Sequence, residues 1–375
     1  MTINVIVVDD SAFMRRVISD ILNKDPEINV VATARNGRDA IEKIEKLRPD
    51  VVTLDVEMPV LNGLDALGYI MSECPTPVVM LSSVDERAAE ITLTAFEYGA
   101  IDFIQKPSGR INPDISAVGD EICSKVKTAA YVDVNKLDFM EEHVRNNFRK
   151  QKSEGTQRDQ KSENLSFSLQ KPHINKKILA IGSSTGGPRA LEQIIPRLPA
   201  DFPAAVLVVQ HMPAGFTASF SKRLDLHSML SVREAKNGDI VKEGEVLVAP
   251  GDFHMEITEQ KINGAIQGIV RLNKNPREKG VRPAVNYLFR SIAPIYGSNI
   301  VTLILTGMGS DGLEGVEAIK KMGGRSVVED ELTCVVYGMP KAIADRGLAD
   351  NIIPLDNIAD EIVQMFNKEL RGSRN

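Results

Sequence analysis

The chain has 375 residues, of which 43% are hydrophobic and 26% are charged, as expected for a globular protein with two domains. A net charge of -6 without a basic stripe argues against nucleic acid as the main partner, and the three scattered cysteines predict neither a disulfide framework nor a cysteine zinc site. With no signal-peptide pattern and no apolar run of about 18 residues, we expect a cytoplasmic protein without membrane insertion.

The first third of the chain alternates short apolar runs with amphipathic segments. The runs predict five buried strands, at residues 3–8, 28–32, 51–55, 78–81 and 101–104. Between the first two runs, apolar residues recur at helical spacing: Met14, Val17, Ile18, Ile21 and Leu22. Strands that alternate with helices favour a parallel sheet covered on both faces.

Polar residues stand where the predicted strands end: Asp9, Asp10, Asp55, Ser82 and Lys106. Because functional groups gather at the carboxyl ends of parallel strands, we expect these side chains to lie together. Clustered carboxylates can bind Mg²⁺, and a nearby lysine can neutralise charge when an aspartate accepts a phosphoryl group. Helix capping would explain one such aspartate, but not three with a lysine. The pattern therefore indicates a phosphate-accepting site.

Residues 1–127 resemble a response-regulator receiver domain, which implies a flavodoxin-like α/β fold with a five-stranded parallel sheet. By this resemblance Asp55 is the phosphoacceptor, and Asp9 and Asp10 belong to its acidic pocket. Asp10 and Asp55 are then the ligands of Mg²⁺.

The same resemblance assigns three further residues. Ser82 matches the switch hydroxyl, Phe103 the switch aromatic and Lys106 the invariant lysine of the pattern. Glu57 follows Asp55 closely and is bulkier and more acidic than many receivers carry there, so it could alter metal affinity or the dephosphorylation rate.

A polar segment separates the two halves of the chain. Residues 150–172 are almost free of aliphatic side chains and have the composition of a flexible linker, and the charged stretch 138–149 predicts a solvated helix. We therefore expect a receiver at 1–127, a linker at 128–176 and a second domain at 177–370.

The second domain begins with an apolar run, 178–181, followed directly by Gly-Ser-Ser-Thr-Gly-Gly. This order predicts a strand, a tight glycine turn and a helix, and centred on Ser184 it fits GxSxG, the pattern of a nucleophile elbow. The neighbouring Ser183 occupies an x position of that pattern.

Further α/β elements follow in the second domain. The sequence predicts strands at 204–210 and 299–306, and an amphipathic helix around Val285 and Ile292. Between them we expect a β-rich insert, formed by 239–249 and 255–272, with a hairpin turn at Asn263 and Gly264. The fold expected for 177–370 is therefore a doubly wound α/β domain with a β-hairpin insert.

A serine nucleophile needs a general base. Four of the five histidines lie beside or within the predicted linker, at a helix end, or in an ambiguous loop: His143, His173, His227 and His254. His211 directly follows the predicted strand 204–210, at the same sheet edge as Ser184. A single histidine is more often structural than catalytic, but this placement favours His211 as the base.

The base in turn needs an orienting acid. No histidine follows His254, so the Ser-acid-His order of α/β-hydrolases is hard to build. Asp311 lies just past the predicted strand 299–306, which leaves the order Ser184, His211, Asp311.

The segment around Asp311 also allows a different interpretation. Gly307, Gly309 and Gly312 match the dinucleotide fingerprint G-x-G-x-x-G, with Glu329 or Asp330 about 20 residues further on. An aspartate inside that loop would repel a pyrophosphate. The alternative function is thus a receiver with a non-catalytic nucleotide-binding or protein-interaction output.

Five motifs occur in a specific order: GSSTGG, QHMPAGFT, VAPGDFHM, LTGMGSDG and YGMPKAI. Through them, residues from 177 onward resemble the catalytic domain of chemotaxis protein-glutamate methylesterases, the CheB family, whose members are also glutaminases. The resemblance implies Ser184 as nucleophile, His211 as general base and acid, and Asp311 as orienting acid. It also implies that the Met308 backbone N–H stabilises the oxyanion.

The resemblance further implies partners and regulation. The substrates would be methylated chemoreceptors and the phosphodonor the chemotaxis histidine kinase. Hydrolysis would need no cofactor, and Mg²⁺ would serve only receiver phosphorylation. The unphosphorylated receiver would pack over the active site, and phosphorylation would relieve that block.

Overall fold

The computed structural model describes residues 2–83, 86–106, 115–134 and 174–372. Most of the predicted linker, the helix predicted at 138–149, and both His143 and His173 lie outside the described residues.

The first half contains a five-stranded parallel sheet in the order β2-β1-β3-β4-β5. Its strands are β1 Ile3–Val8, β2 Ile28–Ala34, β3 Val51–Asp55, β4 Val78–Ser82 and β5 Asp102–Gln105. The helices are α1 Ala12–Leu22, α2 Gly37–Leu47, α3 Gly63–Glu73, α4 Glu86–Glu97 and α5 Ile115–Ala130. Every residue of β3 and β4 is buried, as helices on both faces of a sheet require. The predicted receiver strands are confirmed.

Side-chain caps begin three of these helices. Ser11, Asn36 and Asn62 each accept a hydrogen bond from the backbone N–H three residues further on, which satisfies an amide that the first helical turn leaves unpaired. The loops that follow β1, β2 and β3 therefore enter their helices in a defined direction.

The second half contains a seven-stranded parallel sheet in the order β14-β13-β12-β6-β7-β9-β8 and a separate two-stranded sheet. Its strands are β6 Ile178–Ser183, β7 Ala205–Gln210, β8 Ser231–Glu234, β9 Glu245–Val248, β12 Ile300–Ile304, β13 Arg325–Glu329 and β14 Asn351–Ile353. The helices are α6 Gly187–Ile194, α7 Phe216–His227, α8 Val285–Tyr296, α9 Leu313–Lys321, α10 Met339–Asp345 and α11 Leu355–Gly372. Short 3₁₀ turns occur at Ile195–Arg197 and Gly297–Asn299.

The core of this domain lies on both faces of the sheet, as a doubly wound fold requires. Along β6, Leu179 and Ile181 pack into one apolar layer, whereas Ile178 and Ala180 pack into the other. This alternation follows from the period of two along a strand.

The predicted hairpin is confirmed, but the extent of the insert is corrected. Strands β10 His254–Ile262 and β11 Ala265–Asn273 pair antiparallel around Asn263 and Gly264, both of which have positive φ. Strand β9, by contrast, pairs in parallel with β7 and β8 in the main sheet. Three of its four side chains are buried, which the main sheet allows and an exposed hairpin would not. Strands β8, β13 and β14 were not predicted from the sequence.

Within the described residues, no helix combines the length and the apolar character that a membrane crossing would need.

Candidate active site and phosphoacceptor site

Ser184 lies at the tight turn between β6 and α6. Its backbone N–H donates to Thr306 O at 3.0 Å, and its carbonyl accepts from Gly187 N–H at 2.8 Å. Gly186 has a φ of +78°, and a Cβ there would lie 2.6 Å from a side-chain carbon of Val335. The turn therefore requires glycine, and the predicted strand-turn-helix around Ser184 is present.

His211 and Asp311 are in direct contact at the same sheet edge. The His211 backbone N–H donates to Ser183 O at 3.1 Å, so His211 lies beside the serine turn. Its Nε2 is 2.8 Å from Oδ2 of Asp311. Because an ionised carboxylate only accepts hydrogen bonds, Nε2 carries the proton in this contact and Nδ1 is the nitrogen with a free lone pair.

Asp311 is held at the N-terminus of α8. The backbone N–H groups of Val285 and Asn286 donate to its two carboxylate oxygens at 2.6 and 3.1 Å. Burial alone would raise the pKa of Asp311, but His211 and these amides hold that pKa below its ordinary value. Asp311 is therefore ionised at neutral pH and can stabilise a positive imidazolium.

The loop after β12 packs directly against the serine turn. A Cβ on Gly307 would lie 2.8 Å from Ser184 Cβ, so only glycine allows this approach. In the part of the chain that the structure describes, the next amide, that of Met308, donates to no other group. This amide is available to an oxygen atom bound near Ser184.

The loop after β12 does not have the surroundings of a dinucleotide site. Glu329 is buried beneath it and accepts hydrogen bonds from Thr306 N–H at 2.8 Å and Thr333 Oγ1 at 3.1 Å. Burial raises the pKa of Glu329 to about 7. Asp311 is already committed to His211. Of the two acids that the fingerprint offered for a ribose hydroxyl, Glu329 is buried and occupied by the two bonds above, and Asp330 accepts from Leu332 N–H at 2.9 Å.

The structure accounts for the two other described histidines. His254 is buried, stacks on Tyr287 with 3.7 Å between ring centroids, and accepts from Ala284 N–H. His227 contacts Arg223 O at the end of α7, the helix end expected from the sequence. Neither contacts Asp311.

The predicted acidic pocket is formed in the first domain. Asp9, Asp10 and Asp55 each place a carboxylate oxygen within 4.8 Å of the others. The Lys106 ammonium lies 2.9 Å from Asp9 and 2.7 Å from Asp55. Burial raises the pKa of Asp55 to about 6, Asp9 acts in the same direction, and Lys106 opposes both. Carboxylates clustered in this way have the chemistry of a divalent-cation site.

The two residues predicted to act as a switch, Ser82 and Phe103, both contact other elements. The Ser82 hydroxyl accepts from Thr92 Oγ1 at 2.8 Å and contacts Ala88 O, which ties it to α4. Phe103 is buried against the second domain, with its ring centroid 4.4 Å from that of Phe216. The structure thus connects the end of β4 to α4 and β5 to the second domain.

The receiver covers both turns of the candidate active site. Asp102 on β5 accepts a hydrogen bond from the Thr185 hydroxyl, next to Ser184, and is also 3.2 Å from Lys125 Nζ. On α5, the hydroxyls of Ser124 and Thr128 contact the Met308 sulfur at 3.3 and 2.9 Å. This surface of β5 and α5 is called the receiver face below.

An ion pair lies at the edge of the receiver face. Arg223 on α7 pairs with Glu97 on α4 of the receiver and with Glu192 on α6, the latter at 2.6 Å. The guanidinium thereby bridges the receiver and the helix that starts at the serine turn.

The sequence analysis did not identify Asp102 and Gln210 as functional residues, although the sequence contains a signal for each of them. Each is a polar residue within, or at the end of, a run predicted to be a buried strand, and each is buried in the structure. A buried polar side chain must find a partner, so each position indicated a specific contact.

The fold and the two candidate sites indicate a class of protein, a serine hydrolase domain joined to a phosphoacceptor domain. Residues 179–362 match the CheB methylesterase family, and residues 5–112 match the response regulator receiver domain family. A protein-glutamate methylesterase/protein-glutamine glutaminase of Methanosarcina barkeri is 52% identical over 367 residues, which cover 98% of this chain and 99% of that protein. One from Thermotoga maritima is 44% identical over 363 residues, covering 97% and 98% of the two chains.

A solved structure also matches the second domain. The crystal structure of the Thermotoga maritima CheB methylesterase catalytic domain is 47% identical and has a TM-score of 0.49, over 51% of this chain and 100% of that one. From the full-length relatives, the chain belongs to the CheB family of protein-glutamate methylesterase/protein-glutamine glutaminases with a receiver domain. The resemblance predicted from the motifs is confirmed, and a non-catalytic output is excluded.

Proposed function

We propose that this chain hydrolyses glutamate methyl esters on chemoreceptors, and deamidates receptor glutamines, through Ser184, His211 and Asp311. The observation that carries the proposal is the 2.8 Å contact between His211 and Asp311 at the sheet edge where Ser184 lies. A base held by an ionised acid beside a serine at a sharp turn is the arrangement that activates a hydroxyl for acyl transfer.

The first half of the reaction forms an acyl-enzyme. Ser184 Oγ attacks the side-chain carbonyl of the ester, and its proton passes to Nδ1 of His211. Asp311 stabilises the imidazolium, while the Met308 N–H donates to the developing oxyanion. When the intermediate collapses, the C–O bond to the methoxy group breaks and methanol leaves with the proton from His211.

The second half of the reaction releases the product. A water molecule gives a proton to His211 Nδ1 and attacks the acyl carbonyl, which frees the glutamate carboxyl group and restores the Ser184 hydroxyl. The same cycle on a glutamine amide releases ammonia. Side chains and water handle every bond and proton, so the proposal needs no cofactor for hydrolysis.

We assign Asp55 as the phosphoacceptor and the chemotaxis histidine kinase as the phosphodonor. The carboxylates of Asp10 and Asp55 suit a hard divalent cation, and Mg²⁺ held there would neutralise negative charge during transfer. Lys106, 2.7 Å from Asp55, adds a fixed positive charge for the phosphoryl oxygens. Ser82 at the end of β4 is the hydroxyl that would bond the phosphoryl group.

We further propose that the receiver face inhibits the hydrolase until Asp55 is phosphorylated. The face contacts Thr185 and Met308, which flank the position of the ester, so a bulky protein substrate has no access in this closed arrangement, and basal release comes from the fraction of molecules in which the face has moved away. Bonding of Ser82 to a phosphoryl group would compete with its contacts to α4, the helix that carries Glu97. The resulting shift would weaken the contacts between the domains.

The test of this function is methanol release from membranes that contain methylated chemoreceptors, with and without Mg²⁺ and a small phosphodonor. We expect release in both conditions and a faster rate with the donor. A rate that ignores the donor would keep the esterase and contradict the regulation. No release by folded protein in either condition would contradict the proposed function.

Reversing the charge of Glu97 is expected to raise the activity of the unphosphorylated chain. In Glu97→Arg the attraction to Arg223 becomes repulsion, and a change of about 1 kcal/mol in the balance of closed and open forms corresponds to roughly fivefold more methanol release. Glu90→Arg is the matched control, because Glu90 lies exposed on the same helix. Equal rates in both variants and the unmodified chain would show that the ion pair does not hold the receiver in place.

A further inference from the structure

One buried side chain joins the backbones of the two residues that exchange a proton in the proposed reaction. The amide Nε2 of Gln210 donates to Ser184 O at 2.9 Å and to His211 O at 3.2 Å. Its Oε1 accepts from the Ser183 hydroxyl at 2.7 Å. We propose that Gln210 is a positioning residue for hydrolysis, which holds Ser184 and His211 in register; this inference rests on the function proposed above.

The Gln210 hydrogen bonds lie just beyond the point where the pairing of strands β6 and β7 ends. The parallel pairing of β6 and β7 ends at Ser183 and Gln210 themselves. Beyond that pair, the segment after β6 turns into α6 and the segment after β7 leads toward α7. The Gln210 amide bridges these two segments at the first residue of each outside the sheet. These residues are Ser184, the proposed nucleophile, and His211, the proposed base.

The orientation of the amide is determined by its neighbours. Both carbonyl groups can only accept hydrogen bonds, so the NH₂ group must face them and Oε1 must face the Ser183 hydroxyl. Gln210 is 2% exposed. A buried amide whose donors and acceptor are all satisfied is rigid, because any rotation leaves a polar group unpaired.

Gln210 also determines how close α6 comes to the sheet. A Cβ on Gly187, the first residue of α6, would lie 2.1 Å from Gln210 Oε1, so the helix can start here only with glycine. The N–H of the same glycine donates to Ser184 O at 2.8 Å. The Ser184 carbonyl is thus held from two sides, by α6 and by Gln210.

Loss of the two hydrogen bonds that Gln210 donates should affect the chemical step more than substrate binding. The Gln210 side chain is buried, and its donors contact the backbone carbonyls of Ser184 and His211. A displacement of about 1 Å between reacting groups can lower a rate about 100-fold. We therefore expect a lower kcat with an unchanged KM.

The experiment compares Gln210→Met with Ser183→Ala in the full-length chain, with kcat, KM and thermal unfolding measured for each. Methionine keeps the volume and loses both donors, whereas Ser183→Ala removes one hydrogen bond from the same buried cluster and leaves the donors in place. We expect kcat to fall about 10- to 100-fold in Gln210→Met at constant KM, and no more than a few-fold in Ser183→Ala. Equal losses in the two variants, or a kcat within about twofold of the unmodified chain for folded Gln210→Met, would overturn the proposal.

A second variant tests the positioning role of Gln210 if Gln210→Met does not fold. Gln210→Glu has the same shape and still accepts from Ser183, but an ionised carboxyl group donates to neither carbonyl and a protonated one donates to only one of them; folded protein with unchanged kcat would overturn the proposal. Labelling by a serine-directed fluorophosphonate separates this failure from failure of the proposed function. If Ser184 of the unmodified chain is not labelled, the proposed function fails; if it is labelled at the same rate in the Gln210 variants, only the positioning role fails.

Discussion

Replacing Ser184 by alanine is expected to lower methanol release from a methylated chemoreceptor by about a thousandfold or more. Alanine removes the only atom of this residue that can attack the ester. The turn itself should survive, because its contacts with Thr306 and Gly187 use the backbone of residue 184 and not its hydroxyl. The measurement is the initial rate of methanol release, with circular dichroism to confirm folding.

Ser183→Ala is the matched control for this prediction. Ser183 is the adjacent serine, but its hydroxyl is buried and donates to Gln210 at 2.7 Å, so it faces away from any substrate. Loss of one buried hydrogen bond is expected to reduce thermal stability and to lower the rate no more than about threefold. Hydrolysis by Ser184→Ala at a near-normal rate, or equal losses in both variants, would refute Ser184 as nucleophile.

Replacing Asp55 by asparagine is expected to abolish phosphoryl incorporation from a small phosphodonor in the presence of Mg²⁺. The amide is not a nucleophile toward phosphorus, and it also removes one negative charge from the proposed cation site. Because phosphorylation is proposed to release the receiver face, the donor should no longer accelerate methanol release by this variant. Incorporation is measured with radiolabelled donor, and activity is measured in parallel.

Glu57→Gln tests whether the loss is specific to the proposed acceptor. Glu57 is exposed and lies two residues past Asp55, the last residue of β3, and its backbone N–H donates to Asp55 Oδ1 at 3.3 Å. The variant removes one negative charge close to Asp55 but should still be phosphorylated. Incorporation into Asp55→Asn at the level of the unmodified chain would show that another residue accepts the phosphoryl group.

The two proposed sites are connected through a small set of contacts. Phe103, which the sequence identified only as a switch aromatic, packs on Phe216 at the start of α7, the helix that also carries Arg223. Asp102, its neighbour on β5, contacts Thr185 beside the proposed nucleophile, Ser184. A movement of β5 or α4 in the receiver would therefore change the contacts of the serine turn without any rearrangement of the seven-stranded sheet.

Local patterns were sufficient to predict the receiver strands and to select Ser184, His211 and Asp311 as candidate site residues. Phe103 and Met308 were identified only through the family resemblance. The apolar runs that became β1, β3 and β6 are continuous and end at chemically distinctive residues. Since parallel strands present their carboxyl ends at one edge, the sequence predicted Ser184 and His211 at the same edge, and the structure showed that their strands β6 and β7 are neighbours. The orienting acid, Asp311, was harder to predict, because the loop that contains it also matched a nucleotide-binding pattern.

Only the tertiary structure decided which side chains meet across the chain. The bond between Asp102 and Thr185 joins residues separated by 83 positions, and the periodicity of neither segment contains information about the other. The contact of His211 through Nε2, and the place of β9 in the main sheet, likewise depend on packing between distant elements. Short-range hydrophobic patterns determined the strands and where they end, whereas the contacts of buried polar groups are determined by the whole fold, since each must find its partner wherever packing places one.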